Sequence, residues 1–445
     1  MRKGRLSVGG VCNLLRKSPS LLRQQIKDPL HRNSLFIMSS TVVTSVLGFV
    51  FWIIIARFYD VTAVGYGVAT LNAIFLIAAL GKLGLGTAIV RFISKEEKPT
   101  ELINACLTLT GLVSLAISAI FIAGIDVWSP VLSFIKGNAA FIVAFIFFAL
   151  FSTLSGMMEQ VFIALRRADL FLLRTSLLGL LRIALPLLMV IFFRAFGIVS
   201  SCGIAIGITL LVSLFILLPR VIKGYKPAPR LKFDRIKTIW RYSAGNYLAN
   251  IFGQAPDKLL PILIVNIRLP GVSPAEGAMQ VAFFYMAWRL AFFLFMIPNA
   301  TSRSLFAEGS HFEDKLAANV RRSYKFTFIL LVPAVVVVLL AGKWLLLLFG
   351  ASYSENALSL LRVLTFSSLF VAVNHVYYSV LKVHGRIREL IVLSGFIALA
   401  TLIGTYIITP TTGIIGVGYA WLASQAAVSV YIMLFMRNRF IIRSA

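Results

Sequence analysis

Long apolar stretches separated by short polar punctuation organise this chain. A helix needs about 20 apolar residues to cross the ~30 Å hydrocarbon core of a bilayer. On that criterion the pattern predicts twelve spanning helices, over approximately 34–56, 64–86, 102–124, 139–164, 171–193, 198–219, 242–266, 278–299, 326–349, 358–381, 389–409 and 415–436. Most connections are short, but 220–241 and 300–325 are polar and basic. The predicted class is an all-α polytopic membrane protein.

Composition agrees with the pattern. Hydrophobic residues make up 59% of the 445 and charged residues 13%, where a soluble domain carries about 25% charged. The net charge of +27 resembles a polyanion-binding signal until the lysines and arginines are placed. The N-terminal tail and the even-numbered loops hold nearly all of those outside the spans; the opposite side holds Arg57, Lys136, Arg194 and Arg268. Cytoplasmic loops carry such an excess. The charge therefore reads as topology, with both termini cytoplasmic in an inner-membrane, multi-pass protein, and not as nucleic-acid binding. Anionic headgroups are its natural partners. The twelve-helix count is tied to this asymmetry, because a missed helix would invert every later loop.

The basic linker 220–241 divides the chain. Expected units are a basic cytoplasmic tail at 1–33, helices 1–6 at 34–219, the linker, helices 7–12 at 242–436, and a cytoplasmic tail at 437–445. Residues 1–33 do not read as a cleaved signal, since a full-length span follows with no short apolar core and cleavage site. Val11-Cys-Asn-Leu-Leu-Arg-Lys reads equally as an interfacial amphipathic helix or an unstructured basic tail. Gly65 and Arg91 flank the second span as Gly277 and Arg303 flank the eighth. Leu165-Arg166 matches Leu381-Lys382, and Gly197-Ile198 matches Gly413-Ile414. Matched spacing, more than identity, suggests two six-helix lobes in a parallel pseudo-two-fold repeat. Transporters of that kind place substrate between the halves.

Enzyme chemistry finds no footing. Cys12, Cys106 and Cys202 lie far apart, and the four histidines have no ligand-like spacing, so no metal and no cofactor is expected. Gly81-Lys-Leu-Gly-Leu-Gly reads as close helix packing or a kink, since no strand precedes it as a phosphate loop requires.

What stands out is charge inside the spans. A charge at the centre of a membrane helix costs roughly 2.5–3.5 kcal/mol and usually faces a protein interior or a wet cavity. Arg182, Asp257, Lys258 and Arg289 are so placed. Asp257-Lys258 is framed by Pro256 and Pro261, which predicts a bent or broken helix. Tyr285 lies one turn from Arg289 on the same face, with Trp288 adjacent. Arg182 has Ala398 as its repeat counterpart, so it breaks the repeat. Lys82, Arg174, Lys343 and Arg362 sit nearer helix ends, where they can snorkel outward. The acids Asp257 and Glu159 cannot neutralise all these cations. At least one central cation is left for a negatively charged ligand. The competing reading is a set of buried ion pairs that fix helix register.

At Ile54-Ile-Ala-Arg-Phe-Tyr-Asp-Val-Thr-Ala-Val-Gly-Tyr-Gly-Val-Ala and Leu83-Gly-Leu-Gly-Thr-Ala-Ile-Val-Arg-Phe the chain resembles Wzx-like oligosaccharide flippases of the multidrug/oligosaccharidyl-lipid/polysaccharide (MOP) exporter superfamily. The residues that carry this are Arg57, Gly65, Gly67, Gly84, Gly86 and Arg91, with Asp257-Lys258-Leu-Leu, Ile297-Pro-Asn-Ala and Leu305-Phe-Ala-Glu-Gly-Ser further on. Two departures are Tyr59-Asp60, where Leu-Gly is usual, and Gly81-Lys82, where an apolar-acidic pair is common. The resemblance implies two lobes in a V around a central cavity. Its implied substrate is a polyprenyl-pyrophosphate-linked oligosaccharide, flipped to the outer leaflet for cell-surface polysaccharide synthesis. Polysaccharide polymerase or glycosyltransferases are the protein partners it suggests. On this reading Arg289, Lys258 and Arg182 bind substrate, and Asp257 pairs a cation or answers a coupling ion. The alternatives are a drug or cation antiporter of the same superfamily and a non-transporting lipid-binding scaffold for glycan assembly.

Overall fold

The computed structural model describes residues 29–93, 96–190, 195–230, 233–267, 273–309 and 316–440. The amphipathic-helix reading of Val11 to Lys17 and the last residues of the C-terminal tail lie outside them. Among the described residues the long elements are all helices: α1 (Pro29–Phe58), α2 (Val61–Gly81), α3 (Pro99–Ala123), α4 (Ala139–Ala164), α5 (Ala168–Met189), α6 (Ala195–Val212), α7 (Phe233–Asn266), α8 (Pro274–Gly309), α9 (Leu316–Leu347), α10 (Leu358–Val383), α11 (Ile387–Thr412) and α12 (Ile415–Phe440). Each corresponds to one predicted span.

Eleven of them are long and apolar enough to cross a membrane; α7 is not among these. Its polar residues, Asn250, Gln254, Asp257 and Lys258 among them, dilute the apolar run. The sequence pattern predicts it as a span from its apolar run, with the charge parity of the loops in support. Two boundaries move. The helix α7 begins at Phe233, inside the predicted linker, and α8 continues to Gly309, through much of the predicted loop 300–325. Hydropathy marks only the ~20 residues that sit in hydrocarbon, and helices of 34 and 36 residues extend polar turns beyond it. Nor do Pro256 and Pro261 break α7, which is helical through both.

Neighbour pairs recur at an interval of six helices. The pairs α1·α5, α2·α3, α2·α4, α3·α4, α4·α6 and α5·α6 have their counterparts in α7·α11, α8·α9, α8·α10, α9·α10, α10·α12 and α11·α12. Between the two sets, α2 packs on both α7 and α8. The most buried spans are α2 and α8, while α1, α5 and α9 are among the least. Exposed Leu340, Trp344 and Ile407 fit helices whose outer faces meet lipid. One apolar cluster runs from Phe51 to Ile432, so the core does not divide at the linker.

Local sequence explains several joints. The Asp60 carboxylate caps α2 by accepting from the backbone N–H groups of Thr62 and Ala63, a favoured N-cap arrangement. Tyr59 is buried, and its hydroxyl donates to the Pro186 carbonyl at 2.8 Å. Both departures from the flippase pattern at this position thus have structural roles. At the other end of α2 the chain turns through Gly84 (φ +73°), where a Cβ would meet the Tyr247 side chain, and restarts as the short helix Leu85–Phe92. The glycine-rich segment is therefore a helix break closed by tight packing.

Candidate functional site

Four residues singled out by charge and position fall into two places. On α7, the Lys258 ammonium lies 2.5 Å from Asp257 Oδ2. On α8, the Trp288 indole N–H donates to Asp257 Oδ1 at 2.9 Å, and the Arg289 guanidinium approaches the same oxygen at 3.8 Å. Arg289 also hydrogen-bonds the Tyr285 hydroxyl and stacks 4.4 Å from the centre of its ring. That is a favourable seat for a guanidinium. Lys258 faces the ring of Phe75 on α2, 5.6 Å from its centre. One carboxylate is thus shared by two cations. Arg182 is elsewhere, on α5 against the Cys202 thiol of α6, and does not line the cavity described next.

Asp257, Lys258, Trp288 and Arg289 line a cavity of about 1040 Å³, at or above the top of the ~300–1,000 Å³ typical of ligand pockets. Its walls come from α7, α8, α10, α11 and α12; among the described residues Thr87, just beyond α2, is the one lining residue that precedes the linker. The resemblance implied a cavity between halves. Here α2 packs flush on the second half, with the Trp52 ring of α1 at 4.6 Å from that of Tyr285. Added bulk at Gly65 would meet the backbone of Ala278. At these points the two halves are in direct contact.

Positive charge dominates the wall. Lys258, Arg289, Arg303 and Lys382 line it against Asp257, with His375 besides. Amides and hydroxyls add donors and acceptors, including Asn250, Gln254, Asn299 and Gln425. Trp288 and Trp421 pack edge to face, their centres 5.0 Å apart. Four buried polar atoms on this wall have no protein partner: Arg289 Nε, Trp421 Nε1, Ser302 Oγ and the Tyr378 hydroxyl. Since buried polar groups are nearly always satisfied, they stand ready for a polar occupant.

The sequence profile of the family described as "Polysaccharide biosynthesis protein" matches residues 30–264. The chain belongs to that family. The match takes in α1 to α7, including Asp257 and Lys258. Among solved structures, the chain is similar to an inward-facing multidrug resistance MATE family transporter of the MOP superfamily, with a TM-score of 0.70 and 17% identity over 89% of this chain and 94% of that one. It is similar to the lipid II flippase MurJ in an inward closed conformation, at 0.69 and 14% over 91% and 87%. A MOP superfamily transporter from Pyrococcus furiosus gives 0.63 and 18% over 93% and 96%. No curated protein sequence matches the chain. At these identities the structures establish the fold. This member of the polysaccharide biosynthesis family is a multi-pass membrane protein with the fold of MOP transporters.

Of the four charges expected to snorkel from helix ends, two are where the sequence puts them and two are not. Lys343 and Arg362 are exposed near helix ends, in keeping with snorkelling. Arg174 is not: it is fully buried, pairs with Glu159 at 3.1 Å, and donates to the Ser155 carbonyl at 2.9 Å. Lys82 folds inward against Gly156, within electrostatic reach of Glu159. The bulk that covers Arg174 comes from neighbouring helices, which hydropathy along one segment does not register. Residues that the sequence did not select, notably Arg303, Tyr378, Lys382 and Trp421, complete the cavity. The signal was available as helical spacing: Asn299, Ser302 and Arg303 on α8, and His375, Tyr378, Ser379 and Lys382 on α10, recur at three and four residues.

Proposed function

We propose that this chain moves a polyprenyl-pyrophosphate-linked oligosaccharide from the cytoplasmic to the outer leaflet by alternating access, for cell-surface polysaccharide synthesis. The observation that carries the reading is a cavity with four cations against one carboxylate, which suits an anionic head and repels a cationic one. Arginine is fitted to phosphate oxygens through its forked donors. Sugar hydroxyls need polar partners once out of water, and the amides, free donors and paired tryptophans supply them. The lipid tail stays in the bilayer. Arg289 and Lys258 are the deep contacts for the head, and Asp257 is their resting counterion. Arg182 takes part only if the lobes rearrange to bring α5 to the substrate.

The reading includes an inner-membrane location with both termini cytoplasmic, and two six-helix lobes divided by the linker near 220–241. Membership of a polysaccharide biosynthesis family supports it. A second reading, a drug or cation antiporter, draws on the likeness to a multidrug MATE transporter, but a cationic substrate would meet a cavity of its own sign. Reconstituted proteoliposomes with a lipid-linked oligosaccharide and, separately, a cationic dye separate the two. Flipping of the glycolipid without dye uptake is expected. Dye uptake without flipping would overturn the proposal.

A further inference from the structure

The cavity's cations are not equivalent. Lys258 and Arg289 share Asp257. Arg303 and Lys382 lie on the same wall within electrostatic reach of each other. Among the described residues no carboxylate pairs with either. Glu389, the acid nearest Lys382 in the chain, is already engaged by Arg386 at 2.7 Å and by the Tyr377 hydroxyl at 2.6 Å. Two like charges left together on a cavity wall repel unless an anion sits between them.

A second observation points to the same place. The Ser302 Oγ and Tyr378 hydroxyl, both buried and both lining the cavity, have no protein partner. Ser302 adjoins Arg303 on α8; Tyr378 lies one turn from Lys382 on α10, on the same face. The two helices are held in register there by Ser379 Oγ, which donates to the Ser302 carbonyl at 2.7 Å. The site is thus built from both helices: two free cations and two free hydroxyls.

Distance separates it from the deep cluster. Arg303 follows Arg289 by fourteen residues on a continuous helix, which is about 21 Å along the axis at 1.5 Å per residue. One pyrophosphate cannot touch both. Resting on the transport reading above, we propose that Arg303, Lys382, Ser302 and Tyr378 form a second anion station. It holds the pyrophosphate of the incoming substrate first, while the glycan extends along the cavity toward Trp288 and Trp421. Arg303 offers a two-pronged donor to one phosphate, Lys382 a mobile point charge to the other, and the hydroxyls donate to the remaining oxygens.

The test is binding of inorganic pyrophosphate to the full chain in phosphatidylcholine nanodiscs. Arg303→Gln with Lys382→Gln is expected to weaken binding by at least tenfold, and Ser302→Ala with Tyr378→Phe by about threefold. Arg303→Lys should recover part of the loss, and Arg362→Gln, an exposed cation outside the cavity, should change nothing. Melting temperatures of all variants check that they fold. Undiminished binding by the Arg303/Lys382 double variant would overturn the station. So would displacement of pyrophosphate by phosphatidylglycerol in the disc, which would assign the site to bilayer headgroups. A chain that binds pyrophosphate through Arg303 but flips no glycolipid would leave the station standing and remove the transport reading.

Discussion

Two ion clusters built from similar parts, one at α4 and α5 and the other at α7 and α8, differ in what surrounds them. Near α4 and α5, Arg174 is fully enclosed and meets Glu159 and Ser155. Around α7 and α8, Lys258 and Arg289 meet Asp257 and Tyr285. The first cluster joins helices and lies apart from the cavity described above; the second is part of that cavity's wall, with its side chains about one-fifth exposed. Charge within a span is therefore not enough to mark a binding site. What distinguishes the second cluster is the adjacent space, since Arg174 and Arg289 alike leave Nε unpaired.

Breaking each cluster should give opposite results. The largest expected effect is on stability: Arg174→Ala leaves Glu159 without its buried partner and should cost about 3 kcal/mol, toward the low end for a broken buried pair because Glu159 is partly solvated. Thermal or denaturant unfolding in detergent measures it, and the protein that remains folded should transport normally. Arg289→Ala should reverse that outcome. Lys258 still neutralises Asp257, so the fold should survive, while glycolipid flipping falls by about a hundredfold, roughly 2.7 kcal/mol of lost substrate stabilisation. Normal flipping by this variant would sink the assignment of the deep cluster.

A smaller effect sharpens the contrast. Asp257→Asn removes the counterion and keeps the shape, so pyrophosphate should bind about tenfold more tightly while turnover slows. Titration of the purified variant decides this; unchanged affinity would mean that the deep cations do not meet the anion. Smallest of all, Glu159→Gln keeps an acceptor for Arg174 and should cost about 1 kcal/mol, with flipping unchanged in proteoliposomes.

Much of the architecture was legible in the chain. Apolar run length located the helices, α7 included, and charge parity supported their number, although the polar residues of α7 leave it short of the apolar character of the other eleven. Asp257, Lys258 and Arg289 were found because ionisable groups in apolar runs are conspicuous. Arg303 and Lys382 were hidden by the same logic, since they sit at the ends of apolar windows and count there as topology. Arg174 misled in the other direction, because its cover is supplied by helices distant in sequence. Close contacts were also beyond reach. The repeat pairs Gly65 with Gly277, yet only packing shows that Gly65 abuts Ala278, the next residue along.

Contacts of α2 and its neighbours fasten the first half to the second at both ends. At the Gly65 end, Arg57 donates to the Leu347 and Leu348 carbonyls at 2.6 and 2.9 Å, and Asn266 bonds Ser129 and the Val131 N–H at 2.8 and 3.2 Å. At the Leu80 end, Tyr247 donates to the Leu80 carbonyl at 2.7 Å. On the transport reading proposed above, cargo that enters from the Leu80 side must first part Tyr247 from Leu80, and closing that side again means remaking the same bond.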